Sequence, residues 1–145
     1  MAEYYISELS GYVEGRGSYE TMLGETLTKI EMLEEREDDV LFYGASGRIW
    51  RMFHCQSCCE YVAIEDVCGD VSDLIGSPIT QSEEVSGEQP RSAGSEYVEW
   101  TFIKFSTVKG SVTVRWYGTS NGYYSRTPSF MVYTPKNYKA ADSTP

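Results

Sequence analysis

Two aromatic-rich stretches, 97–106 and 112–117, constrain this chain more than anything else in it. The first carries Trp100, Phe102, Ile103 and Phe105, and Val108-Lys109-Gly110-Ser111 breaks it. The second, Val112-Thr113-Val114-Arg115-Trp116-Tyr117, alternates apolar and polar positions. A period of two marks a strand with one face in a core. The pair therefore predicts an antiparallel hairpin with Val112, Val114 and Trp116 on one side and Thr113, Arg115 and Tyr117 on the other. Asn121-Gly122 is then a two-residue hairpin signal, because both residue types tolerate positive φ. Residues 123–125 and 129–133 are expected to close the set as further strands.

Upstream the pattern is less regular. Residues 40–43 form an apolar run, Gly44-Ala45-Ser46-Gly47 turns it, and 48–54 returns, which predicts a second hairpin. Residues 60–67 read as a strand. The stretch 22–33 alternates over 27–33, yet Met22, Leu23, Leu27, Ile30 and Leu33 also fit a helical period. Asp70 as N-cap, with Gly76 and Pro78 as terminators, predicts a one- or two-turn helix over 70–76. The fold class expected is α+β: mainly antiparallel β meander and hairpins, with one or two short helices, in a single domain. Residues 1–18 read as a flexible N-terminal extension, 19–134 as the β-rich domain with a long loop at 86–95, and 135–145 as a flexible C-terminal tail.

The chain has 145 residues, enough for one domain with its own core, and a net charge of −10. That charge speaks against polymeric nucleic acid, whose binding is driven by Lys and Arg displacing counterions, and against anionic lipid. No apolar run approaches the roughly 20 residues that span a bilayer, and the N-terminus lacks the basic start and apolar stretch of a signal peptide. A cytoplasmic protein with no membrane partner is the expectation.

All four cysteines, Cys55, Cys58, Cys59 and Cys68, lie in or just after a short segment that also holds the one histidine, His54. Zinc needs four ligands in a tetrahedron, and strong zinc signatures carry two Cys pairs separated by a loop. Here the second pair is missing, so His54, Cys55, Cys58 and Cys59 are weak metal candidates, and no metal or other cofactor is expected. Adjacent cysteines seldom bridge each other, so Cys58 and Cys59 read as thiols, most simply as small buried side chains. The chemical alternative is a hydrolase that uses His54 as base, Cys58 or Cys59 as nucleophile, and Glu60. No oxyanion-hole motif, phosphate loop or nucleophile elbow accompanies them.

The more suggestive constellation is the polar face of the last hairpin. An Arg between hydroxyl and aromatic side chains can stack on a base and grip a phosphate. Arg115 and Tyr117, extended by Lys104, Asn121 and Tyr123, are the candidate ligand-binding residues. The plainer reading is a half-exposed sheet face with Arg115 paired to an acid such as Glu99.

Several segments together carry a resemblance: Leu23-Gly24-Glu25-Thr26-Leu27, Met52-Phe53-His54-Cys55-Gln56-Ser57-Cys58-Cys59-Glu60, Ile64-Glu65-Asp66-Val67-Cys68-Gly69-Asp70, Asp73-Leu74-Ile75-Gly76-Ser77-Pro78-Ile79, Trp100 through Gly110, and Val114 through Ser125. The chain resembles a family of small tailed-phage proteins of unknown function. Ser57 stands where that pattern has an acidic residue, and Cys55 and Cys68 are additions to it. The resemblance extends to phage anti-defence proteins that block Thoeris immunity. It implies a homo-oligomer in the host cytoplasm that binds a small cyclic nucleotide signal of the cyclic ADP-ribose type without cleaving it. No site residue is carried over from that resemblance. The alternative functions are the hydrolase or zinc protein just described, or an acidic protein-protein inhibitor.

Overall fold

The structure is a computed structural model and describes residues 11–32, 38–85, 91–93 and 96–139. Its strands pair antiparallel throughout and form two sheets. The first runs β1 (Tyr12–Arg16), β10 (Ser129–Pro135), β4 (Ile49–Phe53), β3 (Val40–Gly44), β2 (Leu27–Met32). The second runs β5 (Tyr61–Cys68), β9 (Gly110–Ser120), β8 (Glu96–Thr107), β6 (Gln81–Val85), with β7 (Arg91–Ala93) also paired to β8.

The α+β expectation is corrected by this arrangement. Among the described residues there is no α-helix, only single 3-10 turns at Tyr19–Met22 and Val71–Leu74. Asp70 does cap the second turn, its carboxylate accepting from the Ser72 N–H at 3.0 Å. Gly76 at φ +90° then redirects the chain before a second turn can form, and a single turn cannot repay helix nucleation. The helical period over 22–33 has a different cause. The β2–β3 register shifts between Leu27 and Lys29, from Leu27↔Gly44 to Lys29↔Tyr43 and Ile30↔Phe42. One extra residue brings Leu27 and Ile30, three apart, onto the same face, so a bulged strand imitates a helix in sequence.

Three other stretches depart from expectation. Residues 12–16 fall in the supposed flexible extension, yet pair with β10 from Tyr12↔Pro135 to Arg16↔Met131. Residues 91–93, inside the supposed long loop, pair with 96–98; residues 86–90 and 94–95 lie outside the described set. Residues 121–128 contain no strand: instead of folding back as a hairpin, the chain crosses from β9 to β10 in the other sheet.

The two sheets pack face to face. Phe42, Met52 and Phe130 from the first meet Ile103, Phe105, Val112, Val114 and Trp116 from the second in one buried cluster. Phe42 and Phe105 have ring centroids 5.2 Å apart, and Tyr19 stacks on Phe130 at 4.3 Å. Each such side chain contributes about 1.5–3 kcal/mol when buried. The inward set on β9 is the one its alternation predicts: Val112, Val114 and Trp116 are buried, while Thr113, Arg115 and Tyr117 are half-exposed.

The reverse face of the first sheet holds a buried charge pair. Arg51 donates from Nε to Asp39 Oδ1 at 2.9 Å and from Nη2 to Oδ2 at 2.7 Å, with both side chains 2% exposed. The guanidinium also lies 3.7 Å over the Phe53 ring. Removing one partner leaves the other charge desolvated, so Asp39→Ala should cost about 3–5 kcal/mol in denaturant unfolding. A loss below about 1 kcal/mol, the size expected of an exposed pair, would show that Arg51 does not depend on Asp39.

Candidate functional site

Strand alternation and register assemble the candidate face. Across the β8–β9 ladder Trp100 stands opposite Tyr117, Phe102 opposite Arg115, and Lys104 opposite Thr113. These residues point away from the core, because their sequence neighbours Thr101, Ile103, Phe105, Val114 and Trp116 point into it. β5 completes the face on the other side of β9. Its register shifts between Ile64↔Trp116 and Asp66↔Arg115, and Glu65 is the extra residue. The bulge turns Glu65 and Asp66 toward Arg115 and sends Val67 inward opposite Val114.

The result is a row of rings beside one guanidinium. Trp100 and Tyr117 have centroids 5.6 Å apart, and Tyr117 and Tyr61 are 6.3 Å apart, so the row crosses three strands. Arg115 Nε donates to Glu65 Oε1 at 2.8 Å, and Trp100 Nε1 donates to the same oxygen at 3.1 Å. The partner of Arg115 is thus Glu65 rather than Glu99, which instead accepts from Arg126 Nε at 3.3 Å. Both members of the Arg115–Glu65 pair are about two-fifths exposed, at 40% and 39%. Such a pair contributes about 0–1 kcal/mol, so a competing anion could take the guanidinium at small cost.

The five sequence-predicted residues do not all meet. Lys104, Arg115 and Tyr117 share the face. Asn121 and Tyr123 lie in the loop beyond its far end, where Asn121 Oδ1 accepts from the Tyr123 N–H at 3.0 Å and Tyr123 is 82% exposed. At about 3.3 Å per strand residue, Asn121 is roughly 26 Å along the chain from the position paired with Lys104. Trp100, Tyr61 and Glu65 belong to the cluster and were not anticipated. Trp100 follows from counting the hairpin register back from Gly110, whereas the bulge that brings in Glu65 leaves no mark in the sequence.

The cysteine–histidine segment forms a closed polar turn after β4. Glu60, 4% exposed, accepts from the Ser57 N–H at 2.8 Å and the Cys58 N–H at 2.9 Å. The Gln56 side chain donates to the Glu60 carbonyl at 2.6 Å. His54 Nε2 contacts Glu60 Oε2 at 2.7 Å, and Nδ1 contacts the Thr127 carbonyl at 3.1 Å. Each ring nitrogen therefore faces an oxygen acceptor, and neither is left to serve as a base or metal ligand. Cys58 and Cys59 are exposed with their sulfurs side by side, which corrects the expectation that they are buried. The inward places of the turn are taken by Glu60 and His54, so the cysteines stay on its outside. Cys55 and Cys68 are exposed free thiols. Among the described residues no group of three or more His, Cys, Asp or Glu is placed to hold a metal ion.

A family model for a domain of unknown function, DUF7448, matches residues 20–130. The chain belongs to that family. No curated protein and no solved structure matches it. The DUF7448 match runs from the first 3-10 turn to the start of β10, and so includes both the ring row and the Glu60 turn. Among the described residues no helix is long and apolar enough to cross a membrane.

The Glu60 turn has a testable acid signature. Burial pushes the carboxyl up, but the Ser57 and Cys58 N–H groups and the His54 ring outweigh it and hold it at about 2, below the ordinary 4.5. A depressed folded-state value stabilises the fold fully above 4.5, and this contribution is lost as pH falls through about 2. Glu60→Gln should therefore unfold more easily at pH 7. Between pH 4.5 and 2 it should also lose less additional stability than the wild type, read from denaturation midpoints across that range. Identical acid limbs in the two proteins would contradict the role given to Glu60.

Proposed function

We propose that this DUF7448 protein is a non-catalytic binder that sequesters a small cyclic nucleotide, of the cyclic ADP-ribose type, on the outer face of its second sheet. In this reading it is a phage anti-defence protein acting against Thoeris-type immunity in the host cytoplasm. The observation that supports it is the ring row Trp100–Tyr117–Tyr61 lying beside Arg115. Bases stack on such rings at about 1–3 kcal/mol each, and a charged hydrogen bond to phosphate adds about 1.5–3 kcal/mol. Nanomolar retention needs about −12 kcal/mol, more than one open face supplies. A second copy of the chain would provide the missing enclosure, which is why the binder is read as a homo-oligomer.

The contacts around the turn favour the binder over the hydrolase alternative. His54 is engaged at both ring nitrogens, and Glu60 is consumed in holding the turn.

Calorimetric titration with a panel of cyclic nucleotides and ADP-ribose isomers tests the proposal. At least one should bind, and Arg115→Ala should weaken it by about tenfold or more, the equivalent of one lost charged hydrogen bond. Trp100→Ala should weaken it by a similar factor. Binding that is unchanged in both variants, or absent across the panel, would remove this face from consideration.

A further inference from the structure

Beneath the same strands, on their inner side, lies a cavity of about 310 Å³ between the two sheets. The described side chains that line it are apolar and include Met32, Phe42 and Met52 from the first sheet and Val67 and Val114 from the second, with Val71 of the 3-10 turn beside them. Three of these large apolar residues remain open to solvent, Met32 at 46%, Val67 at 37% and Val71 at 37% exposure. The cavity therefore has a greasy mouth rather than a polar rim.

We propose that this cavity is a binding site for the hydrocarbon portion of a small uncharged molecule, such as an alkyl chain of about a dozen carbons. Volume sets the size, since an apolar cavity of about 150 Å³ admits benzene and stays free of water, and this one is roughly twice as large. Chemistry sets the class, because no lining side chain offers a hydrogen bond to water or to a polar ligand. A peptide helix does not fit: a sphere of this volume is about 8 Å across, less than the roughly 10 Å of a helix with its side chains. Charge sets the head group. Among the described residues the wall contains no cation, Asp70 immediately precedes Val71, and the chain carries −10 overall. An alcohol or ester is therefore favoured over a carboxylate.

The site depends on the β5 bulge. Without the extra residue at Glu65, Asp66 rather than Val67 would follow Ile64 inward, placing a carboxylate in the wall. The ring row and Arg115 face the opposite way across the same strands, so this site and the nucleotide face are independent and separable by mutation.

Fluorescence enhancement of N-phenyl-1-naphthylamine, an uncharged apolar probe, tests the proposal on the full-length protein. Saturable uptake is expected, displaced by dodecanol at concentrations about tenfold lower than by dodecanoate. Val67→Trp should abolish uptake by filling the cavity, and Val71→Trp at the exposed rim should weaken it by about tenfold or more. Near-ultraviolet circular dichroism checks that each variant is folded, and the rim variant carries the test alone should Val67→Trp unfold. Non-saturable uptake, uptake unchanged in folded Val71→Trp, or equal displacement by the carboxylate would overturn the proposal.

Discussion

One extra residue in each of two strands decides what this fold buries. In β2 the register slips at Thr28, and Leu27 and Ile30 come to lie on the same side. In β5 it slips at Glu65, and Ile64 and Val67 do the same. A strand has a strict period of two, so without the slip every residue beyond that point would face the opposite way. On β5 the consequence reaches both sides of the sheet. Val67 is delivered to the rim of the inter-sheet cavity opposite Val114, and two carboxylates are delivered to the exterior beside Arg115.

These slips also explain where the sequence misleads. The β8–β9 hairpin is legible because its alternation runs unbroken across the ladder, and its inward and outward sets can be read residue by residue. Leu27 and Ile30 instead sit three apart, a spacing that a helix and a bulged strand share, and only the pairing with β3 separates the two. Asn121-Gly122 has hairpin composition. Gly122 does adopt φ +102°, but Asn121 stays at negative φ and the chain crosses to β10 in the other sheet. Long-range partners such as Tyr12↔Pro135 join residues from opposite ends of the chain, and no local pattern announces them. Of the candidate site, Arg115, Tyr117 and Lys104 were legible by parity, while Glu65 and Tyr61 arrive only through three-dimensional pairing with β9.

The Cys–His segment shows how a chemically suggestive cluster can be spent on architecture. A buried carboxylate with two backbone N–H donors and an imidazole around it satisfies the turn's polar groups. Through the Thr127 carbonyl the same imidazole ties the end of β4 to the crossover loop. Gly118 on β9 accommodates that loop, since a Cβ there would run into the Arg126 carbonyl. What the sequence presents as a possible reactive centre is a clasp between the two sheets.

We propose that a nucleotide is held on the outer face of the second sheet and leaves it unaltered. Mass spectrometry of the small molecule released by heat, after incubation of the protein with whichever panel member it retains, tests that claim most directly. The account predicts recovery at the starting mass, in an amount that saturates with the protein. Recovery of a product at a different mass, growing with time beyond the amount of protein, would contradict it.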